Sequence, residues 1–240
     1  MIRWMNLLRW ILHIRVVFWR VYSYVMTQGK EKNCLQFQVM SCNFSVQSSL
    51  RWLRDQIMLF GFLVFHQHKF FCQSNLLVLP SWFSWQVSIP PDNVYAINDT
   101  LSAEGAADDY ETRLRELVSK GVITLSPTSG FPKFDLILLG MGPDGHIASL
   151  FPGHPLVHEN KRWVTFIKDS PKPPPERITL TFPVINSCAY AALVVTGKDE
   201  AESVHSVLGK SENPVKLPVA LVSPEGELKW FLDKDSASKL

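Results

Sequence analysis

The stretch FDLILLGMGPDGHIASLFPG, residues 134–153, restricts what this chain can become more than any other part of it. Residues 134–140 form a nearly continuous apolar run. That pattern predicts a strand covered on both faces inside a parallel sheet, since a half-exposed strand would alternate. Directly after it come three more glycines, two prolines, Asp144 and His146, so the strand must end in a sharp turn that carries two titratable side chains. In open α/β sheets, ligands bind beyond the carboxyl ends of strands, and this loop lies at such an end.

The same grammar recurs down the chain. Residues 93–99, NVYAIND, read as a short strand. Ser102 then opens a helix over SAEGAADDYETRLRELVSKG. Ser102 can cap it, Glu104 suits the positive end of its dipole, and Ala106, Tyr110, Leu114 and Leu117 fall on one face. Lys120 and Gly121 are stop signals, and TLSPTSGFP is loop. Residues 189–197, AYAALVVTG, read as a second buried strand. The helical segment KDEAESVHSVLG follows it, with Ala201, Val204 and Leu208 facing the core. PVALVS and GELKWFL read as closing strands. Strands alternating with helices predict an α/β fold with a parallel sheet.

Composition divides the chain in two. Residues 1–86 hold six of the eight tryptophans, nine basic and two acidic residues, and no alanine, for a net charge of +7. Residues 87–240 carry a net charge of −5 and fifteen of the sixteen prolines. We therefore read 87–240 as the folded domain and 1–86 as a segment that does not encode an evolved domain. Arg3, Arg9, Arg15 and Arg20 in an acid-free apolar stretch also have the look of an organellar presequence, although its tryptophans and few serines fit that poorly. The apolar run at 57–65 spans nine residues, against the roughly 20 that a membrane-crossing helix needs, so no membrane association is expected.

A total net charge of +2 and 46% hydrophobic residues speak against general disorder and against a nucleic-acid footprint. Cysteines 34, 42, 72 and 188 show no CxxC pair and no metal-ligand spacing, which predicts reduced thiols and no metal.

A histidine in a glycine-rich loop titrates near neutrality and can take a proton from water, while loop N–H groups can stabilise an oxyanion. The long motif FDLILLGMGPDGHIASLFPGHP closely resembles the signature of 6-phosphogluconolactonases, pentose-phosphate enzymes related to glucosamine-6-phosphate isomerases. IPPDNVYAINDTLSAEGAADDYE and SPKPPPERITLTFPVIN extend the resemblance, which runs from about Val87 to the C-terminus. It implies a Rossmann-like parallel sheet flanked by helices, with hydrolysis of 6-phospho-D-glucono-1,5-lactone to 6-phospho-D-gluconate as the reaction. A monomer is expected, acting on a small phosphosugar lactone without metal or organic cofactor.

Carried over by this resemblance, His146 is the base that activates water and Asp144 orients it. Gly140, Gly142 and Gly145 shape the loop, Arg177 contacts the phosphorylated sugar acid, and Lys198 is a less secure phosphate contact. The related isomerases and deaminases place an acid five positions after the histidine, where this chain has Phe151, which speaks against an aminosugar substrate.

The N-terminal Ser-Gly-Gly phosphate loop and the acidic-arginine segment that the family carries are absent from residues 1–86. The family's first strands are thus read as replaced, and a truncated, catalytically silent homologue stands as the alternative. The chain ends Ser238-Lys239-Leu240, the peroxisomal import tripeptide, so the expected address is the peroxisome, with cytosol or plastid as alternatives.

Overall fold

The computed structural model describes residues 24–27, 63–66, 69–72, 94–209 and 217–240. Most of 1–86 therefore lies outside the described residues, and so does most of what its composition suggests. Three short strands from that segment are described: β1 (Tyr24–Thr27), β2 (Leu63–His66) and β3 (Lys69–Cys72). They are followed by β4 (Val94–Ala96) and helix α1 (Ala103–Ser119). The two-residue strands β5 (Thr124–Leu125) and β6 (Pro132–Lys133) precede β7 (Leu136–Gly140). Next come β8 (Val164–Ile167), β9 (Arg177–Leu180) and the one-turn helix α2 (Phe182–Asn186). The chain closes with β10 (Tyr190–Val195), α3 (Ala201–Leu208) and β11 (Glu227–Leu232).

Among the described residues the main sheet has seven strands in the order β1-β11-β10-β7-β2-β3-β4. The result is an α/β fold with a mixed sheet. β7, β10 and β11 run parallel to one another, as the buried runs predict, and β3 is parallel to β4. β2 pairs antiparallel with both β7 and β3, and β1 antiparallel with β11. The expectation of a parallel sheet is thereby corrected. Only two residues separate β2 from β3, and a connection that short can join only antiparallel neighbours, because a parallel pair needs a long crossover.

Burial refines the strand assignments. β10 is buried from Ala191 to Val195 and is the strand covered on both faces. β7 alternates at Leu136 to Leu139 between partly and fully buried positions. PVALVS is not a strand: Pro218–Leu221 form a 3₁₀ turn, since Pro218 has no N–H for a ladder and its fixed φ suits a helical first position.

Helix α1 forms as its sequence dictates. The Ser102 side chain accepts the Gly105 N–H at 3.2 Å, and Ala106, Tyr110, Leu114 and Leu117 are buried. Burying side chains such as the two leucines contributes about 1.5–3 kcal/mol each. That face packs on the β8–β9 ribbon. There Glu111 accepts the backbone N–H groups of Trp163 and Val164 at 2.9 and 3.1 Å, and the Arg115 guanidinium lies 4.1 Å from the Trp163 ring centre. The ribbon is held in turn against the loop after β7, where the Ser149 N–H donates to Thr179 Oγ1 at 3.3 Å.

Candidate active site

β7 ends at Gly140, opposite Val194 of β10, so the chain leaves the sheet at the carboxyl edge of two adjacent parallel strands. It then folds back on itself. The Gly142 N–H donates to the His146 carbonyl at 3.0 Å, and the Gly145 N–H donates to the Gly142 carbonyl at 2.8 Å. Two neighbours brace this loop. Ser203 of α3 donates to the Pro143 carbonyl at 2.5 Å, and the Val219 N–H donates to the Gly145 carbonyl at 3.1 Å.

Two glycines are required here for different reasons. Gly145 has φ +74°, and a Cβ there would lie 2.7 Å from Leu217 Cδ1. At Gly142 a Cβ would run into the imidazole of His146 and come within 2.9 Å of Asp144 Oδ1. The backbone of Gly142 is therefore one wall of the histidine's seat. The N–H groups of Gly142 and Gly145 are spent inside the loop, so neither is left to stabilise an oxyanion.

His146 is 2% exposed, and its Nδ1 lies 2.6 Å from Asp144 Oδ1. The same oxygen accepts Lys172 Nζ at 3.0 Å. Burial alone would raise the Asp144 pKa. The hydrogen bond and charge of His146, with those of Lys172, outweigh it and hold the carboxyl well below the usual carboxylate range. An ionised carboxylate only accepts, so Nδ1 carries the proton in this pair. In the neutral imidazole the lone pair then sits on Nε2, which no described residue bonds. The pair therefore presents a base of fixed tautomer at the end of the sheet.

Phe151 covers the imidazole, with ring centres 4.5 Å apart and an interplanar angle of 30°. The Arg177 guanidinium lies 5.6 Å from the Phe151 ring centre. Its donors are largely engaged by the proline-rich turn before it: Nε by the Pro174 carbonyl at 3.0 Å, Nη2 by the Lys172 and Pro173 carbonyls at 2.9 and 2.7 Å. Burial lowers its pKa from the ordinary guanidinium value. Lys198 is exposed in the turn between β10 and α3, four positions beyond Val194; its carbonyl accepts the Ala201 N–H at 3.2 Å, and its side chain makes no hydrogen bond or ion pair among the described residues.

The structure thus joins Asp144, His146, Gly142 and Gly145 in one loop and brings Arg177 to it through Phe151, while the Lys198 side chain bonds none of them. Lys172 was missed. It lies in SPKPPPER, where no period says which carboxylate a lysine will reach. Among the described residues no group of side chains could hold a metal ion, and no helix is long and apolar enough to cross a membrane.

The family described as glucosamine-6-phosphate isomerases/6-phosphogluconolactonase matches residues 72–230, starting earlier than the resemblance read from about Val87. A protein of Oryza sativa subsp. indica named "Probable 6-phosphogluconolactonase 4, chloroplastic" is 62% identical over 169 residues, covering 70% of this chain and 52% of the rice protein. The protein of Arabidopsis thaliana named "6-phosphogluconolactonase 3, chloroplastic" is 60% identical over 167 residues, covering 70% of this chain and 51% of that relative. The chain thus spans about half the length of these curated relatives. A crystal structure of 6-phosphogluconolactonase from Thermotoga maritima matches at 30% identity and a TM-score of 0.51, covering 65% of this chain and 62% of that one.

These comparisons overturn the peroxisomal address, because plant proteins 60–62% identical to this chain are named as chloroplastic. The C-terminal tripeptide is also not a loose tail. The Ser238 and Leu240 N–H groups donate to the carbonyls of Asp235 and Ala237 at 3.2 and 3.1 Å, and Lys239 pairs with Glu202 of α3.

Proposed function

The chain belongs to the glucosamine-6-phosphate isomerase/6-phosphogluconolactonase family, and on that premise we propose that it hydrolyses 6-phospho-D-glucono-1,5-lactone. The observation that carries this reading is the Asp144–His146 pair, whose hydrogen bond leaves Nε2 as the only basic nitrogen. Water would lose a proton to Nε2 as its oxygen adds to the C1 carbonyl. The tetrahedral intermediate would collapse with cleavage of the bond between C1 and the ring oxygen, which takes the proton back from the imidazolium. One water is consumed and 6-phosphogluconate is released, the imidazole returning to its starting state. Asp144 would stabilise the transient imidazolium, and Lys172 would offset the carboxylate's charge.

Phe151 supports hydrolysis over aminosugar isomerisation, because the position that the resemblance assigns to an acid holds an apolar ring. We assign Gly140, Gly142 and Gly145 to shaping the loop. Substrate contact by Arg177 would fall to Nη1, the terminal nitrogen its turn leaves unused among the described residues. Lys198 would reach the phosphate from the neighbouring strand end. Of the finer fold reading, the Rossmann-like parallel core draws support from β7, β10 and β11, and the replacement of the family's first strands from the absence of a Ser-Gly-Gly loop in residues 1–86. A monomer is the oligomeric state proposed. The relatives' names point to the plastid as the compartment.

The test is turnover of freshly generated lactone by the full 240-residue chain, with spontaneous opening subtracted. The expected kcat/KM is at least ~10⁴ M⁻¹s⁻¹, and His146→Ala should lower the rate about 100-fold or more. A competing reading, a catalytically silent homologue, is favoured by the absence of a Ser-Gly-Gly loop from residues 1–86. Hydrolysis at the background rate by soluble, folded chain would establish that reading and remove ours.

A further inference from the structure

A base that must meet water and a carbonyl carbon in line needs its ring plane fixed as well as its tautomer. The hydrogen bond from Nδ1 to Asp144 Oδ1 fixes only part of this. It sets a direction in the ring plane and leaves rotation about the Nδ1···Oδ1 line open, and that rotation would sweep Nε2 through an arc. Two contacts close it. The backbone of Gly142 abuts the Nδ1–Cε1 edge, and the flat face of Phe151 lies on the ring at 4.5 Å.

Phe151 cannot easily yield, because it is 2% exposed. It is also one link in a closed circuit of contacts. His146 bonds Asp144, Asp144 pairs with Lys172, the Lys172 carbonyl accepts from Arg177, Arg177 sits over Phe151, and Phe151 lies on His146. The links involve side chains from two places in the sequence, the loop after β7 and the turn between β8 and β9. A shift of that turn would therefore be felt at the imidazole along two routes, one through charge and one through the stacked ring.

The structure assigns Phe151 as a positioning residue for His146: it holds the imidazole plane, and through Arg177 it couples that plane to the turn at residues 172–174. This assignment deepens the proposed hydrolysis and rests on it for its kinetic consequence, while its geometric content stands apart. Leucine at this position would fill most of the volume without offering a flat face, so the imidazole would stay in place and tilt. Tyrosine would keep the face.

Two measurements on the full chain test it. In the proton NMR spectrum, the Hε1 resonance that disappears in His146→Gln should lie upfield of an exposed histidine, displaced by the Phe151 ring current. In Phe151→Leu it should move back downfield. Kinetically, Phe151→Leu should lower kcat about tenfold with KM within twofold of wild type, since the loss is of orientation and not of binding. Phe151→Tyr should recover most of kcat.

An Hε1 resonance at the position of an exposed histidine in the wild-type chain would overturn the assignment, and this needs no variant to fold. So would a folded Phe151→Leu protein with unchanged kcat and KM. If the wild-type chain hydrolyses no lactone but its upfield Hε1 moves in Phe151→Leu, the positioning assignment stands and the lactonase reading falls.

Discussion

Gly142→Ala puts a single carbon where the imidazole of His146 leaves no room for it. The new Cβ would sit 2.9 Å from Asp144 Oδ1 and closer still to the imidazole of His146. Ordinary contact would require a separation of about 3.5 Å or more, so the ring must retreat by on the order of 1 Å. It has nowhere to go at low cost. Phe151 lies on it at 4.5 Å, and swinging within the ring plane stretches the 2.6 Å bond to Asp144. Overpacking of this kind costs about 1–3 kcal/mol, and weakening a hydrogen bond to a charged group draws on a further ~1.5–3 kcal/mol. We expect a stability loss of about 2–4 kcal/mol by urea unfolding. A 1 Å misplacement of the base should cost about 100-fold in kcat. Gly130→Ala is the matched control. Its φ is +75° with nothing within 4 Å of an added Cβ, so it should lose about 1–2 kcal/mol through backbone strain alone and leave kcat unchanged. A Gly142→Ala protein as stable and as fast as wild type would refute the claim that this backbone forms a wall of the histidine's seat.

Two further outcomes follow from the electrostatics. Asp144 has a folded-state pKa below its unfolded one, so its stabilisation is fully present above about pH 4 and is lost as the pH falls through the depressed value. The stability gap between wild type and Asp144→Asn, measured by urea unfolding, should hold its full size at pH 6 and narrow below about pH 4; a gap that widens in acid would contradict the shift. Burial pushes the Cys188 thiol up to about 12, with the nearby charge of Glu225 adding to it. Native protein treated with iodoacetamide at about pH 8 should therefore remain unmodified at Cys188 by mass spectrometry and react there only in denaturant.

Local pattern was enough for the parts of this protein whose partners lie a few residues away. Helix α1 could be read with its cap and buried face, because Ser102 meets Gly105 three residues on and the helical period alone brings Ala106, Tyr110, Leu114 and Leu117 to one side. The pairing of Asp144 with His146 is local in sequence too: they lie two positions apart in a loop that its glycines make turn, and the fold then braces that loop from α3 and Val219. What tertiary structure decided involves groups distant in sequence. β2 enters the sheet antiparallel beside β7, reaching it from some seventy residues upstream. PVALVS has the residue types of a strand, yet it turns and braces Gly145. Lys172 lies 28 positions from the carboxylate it neutralises, in a proline-rich turn with no periodicity to aim it. The C-terminal tripeptide has an address-like sequence, and only the approach of α3 gives Lys239 its partner. Side-chain period reports which face of an element is apolar. Which element covers that face, and which charge arrives with it, depends on chain closure over long separations, where the free energy belongs to the assembled contacts and not to any segment.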